Sequence, residues 1–161
     1  MSNAVPDRLS DRVIPYLMID GAADAIAFYI RAFSATPVYS LDLPNGAIAH
    51  AEIEVFGAPV YLADAPDQMP GDAGNPNKLG GTSVILHLYV PDVDEAVAQA
   101  VGAGATVARE PADQFYGDRS AVVIDPFGHH WSLHTRIKDL TPQEMTVAMA
   151  EMMAEMDANG S

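Results

Sequence analysis

The sequence is written twice, and the two copies are 71 residues apart. Tyr16-Leu17-Met18-Ile19 with Asp24-Ala25-Ile26-Ala27 aligns with His87-Leu88-Tyr89-Val90 with Glu95-Ala96-Val97-Ala98. Further on, Glu54-Val55-Phe56-Gly57 and Leu62 meet Asp125-Pro126-Phe127-Gly128 and Leu133 in the same register. One offset serving two separate blocks means that a whole supersecondary unit is duplicated. A period this long predicts a pseudo-symmetric fold with a site between its halves, not a solenoid.

Each half reads as a strand, a helix and three strands. In the first, residues 12–19 form a short apolar run closed by Asp20-Gly21, and residues 22–33 place Ala25, Ile26, Phe28, Tyr29, Ala32 and Phe33 at helical spacing. Strands follow over 36–43, 47–55 and 58–63, separated by Pro44-Asn45-Gly46 and by Phe56-Gly57. The second half repeats this with a strand over 83–90, a helix over 93–103 ended by Gly102 and Gly104, and strands near 106–110, 119–124 and 130–136. The resulting organisation is a first βαβββ module at 11–63, a Pro/Gly-rich linker at 64–82, a second module at 83–137 and a helical extension at 138–157. In that extension Thr141, Pro142 and Glu144 write a capping box, and Met145, Val147, Met149, Met152, Met153 and Met156 make an adaptable apolar face.

Composition narrows the function. The chain has 161 residues, 49% hydrophobic, enough for one core. Its formal charge of −14, with only 8 Lys and Arg, argues against nucleic acid and anionic membranes, which select cationic surfaces. Cysteine is absent, which removes thiolate ligands and thiol nucleophiles. No apolar run is long enough to span a bilayer, so a cytoplasmic location is expected. The glycines at 71, 74, 80 and 81 have no lysine in P-loop register, which excludes a nucleotide cradle.

The two βαβββ halves, Asp-Pro-Phe-Gly-His-His-Trp-Ser-Leu-His at 125–134, Gln-Phe-Tyr-Gly-Asp-Arg at 114–119 and Asp-Leu-Thr-Pro-Gln-Glu-Met at 139–145 together resemble the vicinal oxygen chelate superfamily. This is the group of glyoxalase I, bleomycin-resistance proteins and extradiol dioxygenases, and within it the chain looks like the PhnB-like branch. The resemblance implies an α+β protein with two βαβββ modules forming an open eight-stranded groove, plus a C-terminal helix. It also implies a homodimer, since such proteins commonly pair modules across two chains, and the open edges and methionine face require cover. The fold does not fix the reaction, because function resides in the site grafted onto it.

Metal-dependent members hold their ion with inward side chains from the first and fourth strands of each half. Carried over by the motifs, these positions are Ile14, Tyr61, Ile85 and Ser132, and both pairs obey the 71-residue register. Isoleucine cannot ligate, and neutral Tyr and Ser are poor ligands, so no metal is expected at the usual positions and no cofactor is required. A relocated divalent-metal site from His50, His87 and His130 is the alternative. The groove candidates are Tyr16, His50, Tyr61, His87, Tyr116, Arg119 and Ser132, with Arg119 either at the groove rim or paired with Asp125. Trp131 alternates with Ser132 and should point toward the helices. No Gly-x-Ser-x-Gly turn marks Ser132 as a nucleophile, so it reads as structural, while Glu54 and Asp125 read as turn caps. Three functions remain: a metal-independent groove protein binding a small molecule; a lyase, isomerase or dioxygenase with a relocated metal; or a protein that sequesters a cationic compound. Whether the chain is an enzyme is left open.

Overall fold

The computed structural model describes residues 12–65 and 74–159. The first module runs β1 (Tyr16–Ile19), α1 (Ala22–Phe33), β2 (Thr36–Asp42), β3 (Ile48–Val55) and β4 (Ala58–Asp64). After a four-residue helix, α2 (Pro76–Leu79), the second runs β5 (Ile85–Tyr89), α3 (Val93–Ala103), β6 (Thr106–Asp113), β7 (Asp118–Ile124) and β8 (His130–Arg136). A last helix, α4, spans Pro142–Asn159. Each module keeps its own four-stranded sheet, ordered β1-β4-β3-β2 and β5-β8-β7-β6. The first strand lies parallel to the fourth, because the helix returns the chain to the same end of the sheet.

The duplication survives in the ladders. Tyr16 pairs with Tyr61 and His87 pairs with Ser132, and both members of one pair lie 71 residues from their counterparts in the other. Alternation along each strand then divides inside from outside. Inward faces carry Leu17, Ile53, Val60, Leu62, Leu86, Val123, Trp131 and Leu133, all buried. They share one core with Phe28, Tyr29 and Phe33 of α1 and Val93, Val97 and Ala100 of α3. Trp131 lies 2% exposed with its ring 4.8 Å from that of Phe33, on the helix side as its alternation with Ser132 requires.

Two carboxylates fix α1 in this frame. Asp64, the last residue of β4, accepts from the backbone N–H groups of Gly21 and Ala22 at 2.9 and 2.8 Å and from Ile48 N–H at 2.7 Å. It thereby caps α1, whose own N-cap is a glycine with no side chain to offer. Residue 64 is therefore the end of the first module and not the start of a linker. The linker itself contains α2, whose Asn75 cap accepts from Lys78 N–H; residues 66–73 fall outside the described residues. In the second module Asp125 accepts from Phe127 and His129 N–H, as its reading as a turn cap requires, and also from Tyr29 and Trp131. The capping box of α4 forms, with Thr141 N–H donating to Glu144 and Glu144 N–H to the Thr141 hydroxyl. Among the described residues no helix is long and apolar enough to cross a membrane.

Candidate functional site

The faces turned away from the core carry the polar and aromatic residues. On the first sheet, Tyr16, His50 and Tyr61 converge from three adjacent strands. The Tyr16 hydroxyl lies 2.9 Å from His50 Nδ1, and the His50 and Tyr61 rings meet edge to face at 5.0 Å. His50 Nε2 approaches the Glu52 carboxylate at 3.6 Å, and Tyr39 of β2 flanks the imidazole with ring centroids 6.4 Å apart. Partial burial raises the Tyr16 phenol above its ordinary range, so at neutral pH it is a hydroxyl able to donate to His50.

The second sheet holds a tighter network. His87 of β5 stacks on His134 of β8 with ring centroids 3.9 Å apart and planes 27° from parallel. His134 Nε2 lies 2.8 Å from the Ser132 hydroxyl, and Nδ1 lies 3.2 Å from Asp118 Oδ2. Asp118 also accepts from the Tyr89 hydroxyl at 2.7 Å and from Arg136 Nε at 2.6 Å. Burial works to raise the Asp118 carboxyl, but hydrogen bonds from Tyr89, Arg136 and His134 outweigh it and hold the group below the usual carboxylate range. Burial, and then the neighbouring His87, push His134 below its ordinary value despite Asp118. The pair is thus a neutral imidazole beside an ionised carboxylate. A carboxylate accepts only, so the imidazole hydrogen sits on Nδ1 and Nε2 is left to accept from Ser132.

These ladders revise the sequence assignments. Tyr16, not Ile14, stands beside Tyr61, and His87, not Ile85, stands beside Ser132. Ile14 precedes β1 and Ile85 pairs with His130, one step of the pleat away. Arg119 leaves the groove altogether: it alternates with Asp118 and is clamped by Asp94 of α3 at 2.6 and 2.9 Å and by Asp113 at 2.8 Å, with no part in an Asp125 pair. Tyr116 stays at the groove face, its hydroxyl 3.5 Å from the Ser120 hydroxyl and its ring 6.3 Å from His134. Among the described residues of one chain, no three His, Asp or Glu side chains form a group able to hold a metal, so His50, His87 and His130 are not gathered into one. Where the first and fourth strands pair, Tyr16, Tyr61, His87 and Ser132 offer one imidazole and no carboxylate, a poor donor set for a divalent ion.

The residue that sequence reasoning missed is Asp118. The face of β7 that looks outward follows from the pairing of Asp118 with Arg136 of β8, a register no local pattern specifies. Tyr89 was missed too, although it sits two residues from His87 and shares its face.

Residues 16–134 match a family described as the glyoxalase-like domain. The chain belongs to that family. This glyoxalase-like chain is 43% identical over 137 residues to uncharacterized proteins of Mycobacterium bovis and of Mycobacterium tuberculosis strain H37Rv, covering 84% of its own length and 90% and 81% of theirs. A gene product of Arabidopsis thaliana superposes with a TM-score of 0.62 at 28% identity, over 76% of this chain and 96% of that one. The fosfomycin resistance protein FosX of Listeria monocytogenes reaches a TM-score of 0.62 at 16% identity, covering 84% and 98%. A glyoxalase/bleomycin resistance protein/dioxygenase family enzyme of Burkholderia phytofirmans gives 0.58 at 19%, covering 75% and 94%. At such low identity the last two comparisons speak for the fold alone: the glyoxalase/bleomycin-resistance fold, carrying here a C-terminal helix.

Proposed function

We propose that this glyoxalase-like protein is a homodimeric, cytoplasmic small-molecule-binding protein that works without a divalent metal at the usual positions. The observation that carries the reading is the chemistry of the outer faces. At the paired first and fourth strands they present Tyr16 with Tyr61 and His87 with Ser132, rings and hydroxyls suited to a small organic ligand and poorly suited to an ion. These faces are also incompletely covered. Tyr16, Tyr39, Leu41, Ile85 and Tyr89 are each about half exposed, at 47, 53, 50, 57 and 48%. A second copy laid across them would close a groove from one sheet of each chain, and would cover the exposed Val147, Met149, Met153 and Met156 of α4.

The test has two arms. Chelator-washed protein is incubated with Zn²⁺, Ni²⁺, Mn²⁺ and Fe²⁺, freed of loose ions and analysed by elemental mass spectrometry. The expected content is well under one ion per chain. One equivalent, lost in His87→Ala, would replace this reading with a metal-dependent enzyme using the relocated histidines. In the second arm calorimetric titration compares bleomycin, fosfomycin and uncharged aryl esters. The net charge of −14 favours a cationic or neutral ligand over an anionic one, and binding of none of them would overturn the ligand-binding reading for these classes.

A further inference from the structure

We propose that Ser132, His134 and Asp118 form a nucleophile, base and orienting carboxylate that transfer the acyl group of a small uncharged ester to water. The inference rests on the reading of the outer faces as the ligand-binding surface and adds a reaction to it. Ser132 and His134 share one strand face two residues apart, and Asp118 arrives from the neighbouring strand. The distances are 2.8 Å from hydroxyl to Nε2 and 3.2 Å from Nδ1 to the carboxylate. This chain of contacts is what activates a serine, since the base needs its second nitrogen fixed by an acceptor in order to take the hydroxyl proton with the first. The constellation is recognised by geometry and roles, so the missing Gly-x-Ser-x-Gly turn does not count against it. All three side chains are nearly excluded from water, at 7, 3 and 2% exposure, which strengthens their mutual polarisation.

The steps balance. The Ser132 oxygen attacks the ester carbonyl carbon as its proton passes to His134 Nε2, while Nδ1 keeps its hydrogen bond to Asp118. The carbonyl oxygen becomes an oxyanion, and the exposed ring of His87, cross-strand neighbour of Ser132, is assigned as its donor. Collapse breaks the bond to the alcohol, which leaves with the proton from Nε2. Water then attacks the acyl-serine and gives a proton to His134, which returns it to Ser132 as the carboxylic acid departs. The net reaction is ester plus water to acid plus alcohol. Uncharged substrates are indicated because Arg136 already neutralises Asp118, the rings packed around His134 are those of His87, Tyr89 and Tyr116, and Arg109 exerts the smallest of the charge effects on His134.

The intact protein is treated with an alkyl fluorophosphonate, in which attack by Ser132 forms a P–O bond and expels fluoride. Peptide mass spectrometry should find one phosphonyl group per chain on Ser132. The adduct should be absent in Ser132→Ala, and its rate should fall about a hundredfold or more in His134→Gln, with circular dichroism showing both variants folded. The labelling rate should rise with pH through a midpoint below 6.5. The groups facing His134 are His87, Asp118, Tyr89, Tyr116, Ser132 and Arg109, and of these only Asp118 supports its cationic form. Asp118→Asn, a change at a positioning residue, should therefore move the midpoint further down, an effect that simple loss of packing does not produce. An unlabelled Ser132 in wild-type protein, or labelling that survives in Ser132→Ala, overturns the proposal. If Ser132 stays unlabelled while a compound of the calorimetric panel binds, only the triad fails; if nothing binds either, the ligand-binding reading fails with it.

Discussion

The Tyr29 hydroxyl, on the helix of the first module, donates to Asp125 Oδ2 in the turn of the second at 2.7 Å, and both residues are buried. Their sequence separation of 96 makes this bond a clasp between the two halves. Burial, then the charge of Asp125 and the bond to it, raise the Tyr29 phenol far above its ordinary range, so it acts only as a donor. Tyr29→Phe removes one donor and leaves Asp125 with Trp131 and two backbone N–H groups. The expected loss is about 1.5–3 kcal/mol in denaturant unfolding. Asp125→Ala strands four donors at once, three of them buried, and should cost about 4 kcal/mol or more.

Asp64→Ala tests the cap of α1. Three backbone donors lose their acceptor, two of them at a helix end that has no capping side chain of its own. A single N-cap is worth about 1 kcal/mol and the added bond to Ile48 about as much again, so a loss of about 2 kcal/mol is expected in urea melts. Hydrogen exchange should be fastest in the first turn of α1. An unchanged melt would mean that water replaces the carboxylate.

How far the fold was legible follows from which forces are local. The helix at 93–103 and the strand at 130–136 stand where the apolar period and the flanking Gly and Asp residues put them, because burial and capping act within a few residues. The first strand is shorter than its apolar run, beginning at Tyr16, since the ladder to β4 reaches no further back. At the site, His87 was readable from strand alternation, and Ser132 from the family resemblance. Asp118 was not, nor was the loss of Arg119 to α3, because both depend on which face of β7 meets β8 and on the tertiary placement of Asp94.

Stability should fall in acid in two stages. His134 and His129 are both pushed below the ordinary histidine range, chiefly by burial. A group with a depressed folded value stabilises fully above its unfolded value of about 6.5, and its contribution drains away as pH drops from there toward the folded value. Asp118, also depressed, contributes above the unfolded carboxylate value of about 3.9 and is lost below it. Melting temperature measured from pH 8 to 3 should be flat above about 7, decline below 6.5 and decline again below 4. In His134→Gln the first decline should be shallower; an unchanged profile would mean that His134 does not titrate with folding.

Gly117 holds the C-terminal segment against the second sheet. It sits at φ 91°, its carbonyl accepts from the N–H groups of Ile137 and Lys138, and an added Cβ would collide with the Lys138 carbonyl oxygen. Gly117→Ala must therefore displace residues 137–138 and with them the approach to α4. The expected cost is about 1–3 kcal/mol, with faster proteolysis at residues 137–141 than in the wild type. Equal protease resistance would show that the turn relaxes without releasing the tail.

The outer faces and α4 lead to the last prediction, a dimer in solution. Val38, Tyr39, Leu41 and Leu43 lie 45–53% exposed along β2 and the turn after it, and Ile85 and Tyr89 lie similarly open on the other sheet. Large side chains exposed along contiguous strand faces are costly to leave in water, and a self-complementary contact related by a two-fold axis is the commonest way to cover them. Sedimentation velocity should give twice the 17.1 kDa chain mass at micromolar concentration. Leu41→Glu places a charge on this face without touching the core, so it should shift the protein toward monomer while leaving the far-ultraviolet spectrum unchanged. The same variant should weaken ligand binding, since a groove shared between two chains is lost when they part. A folded monomeric wild type that still binds ligand would place the whole site within one chain.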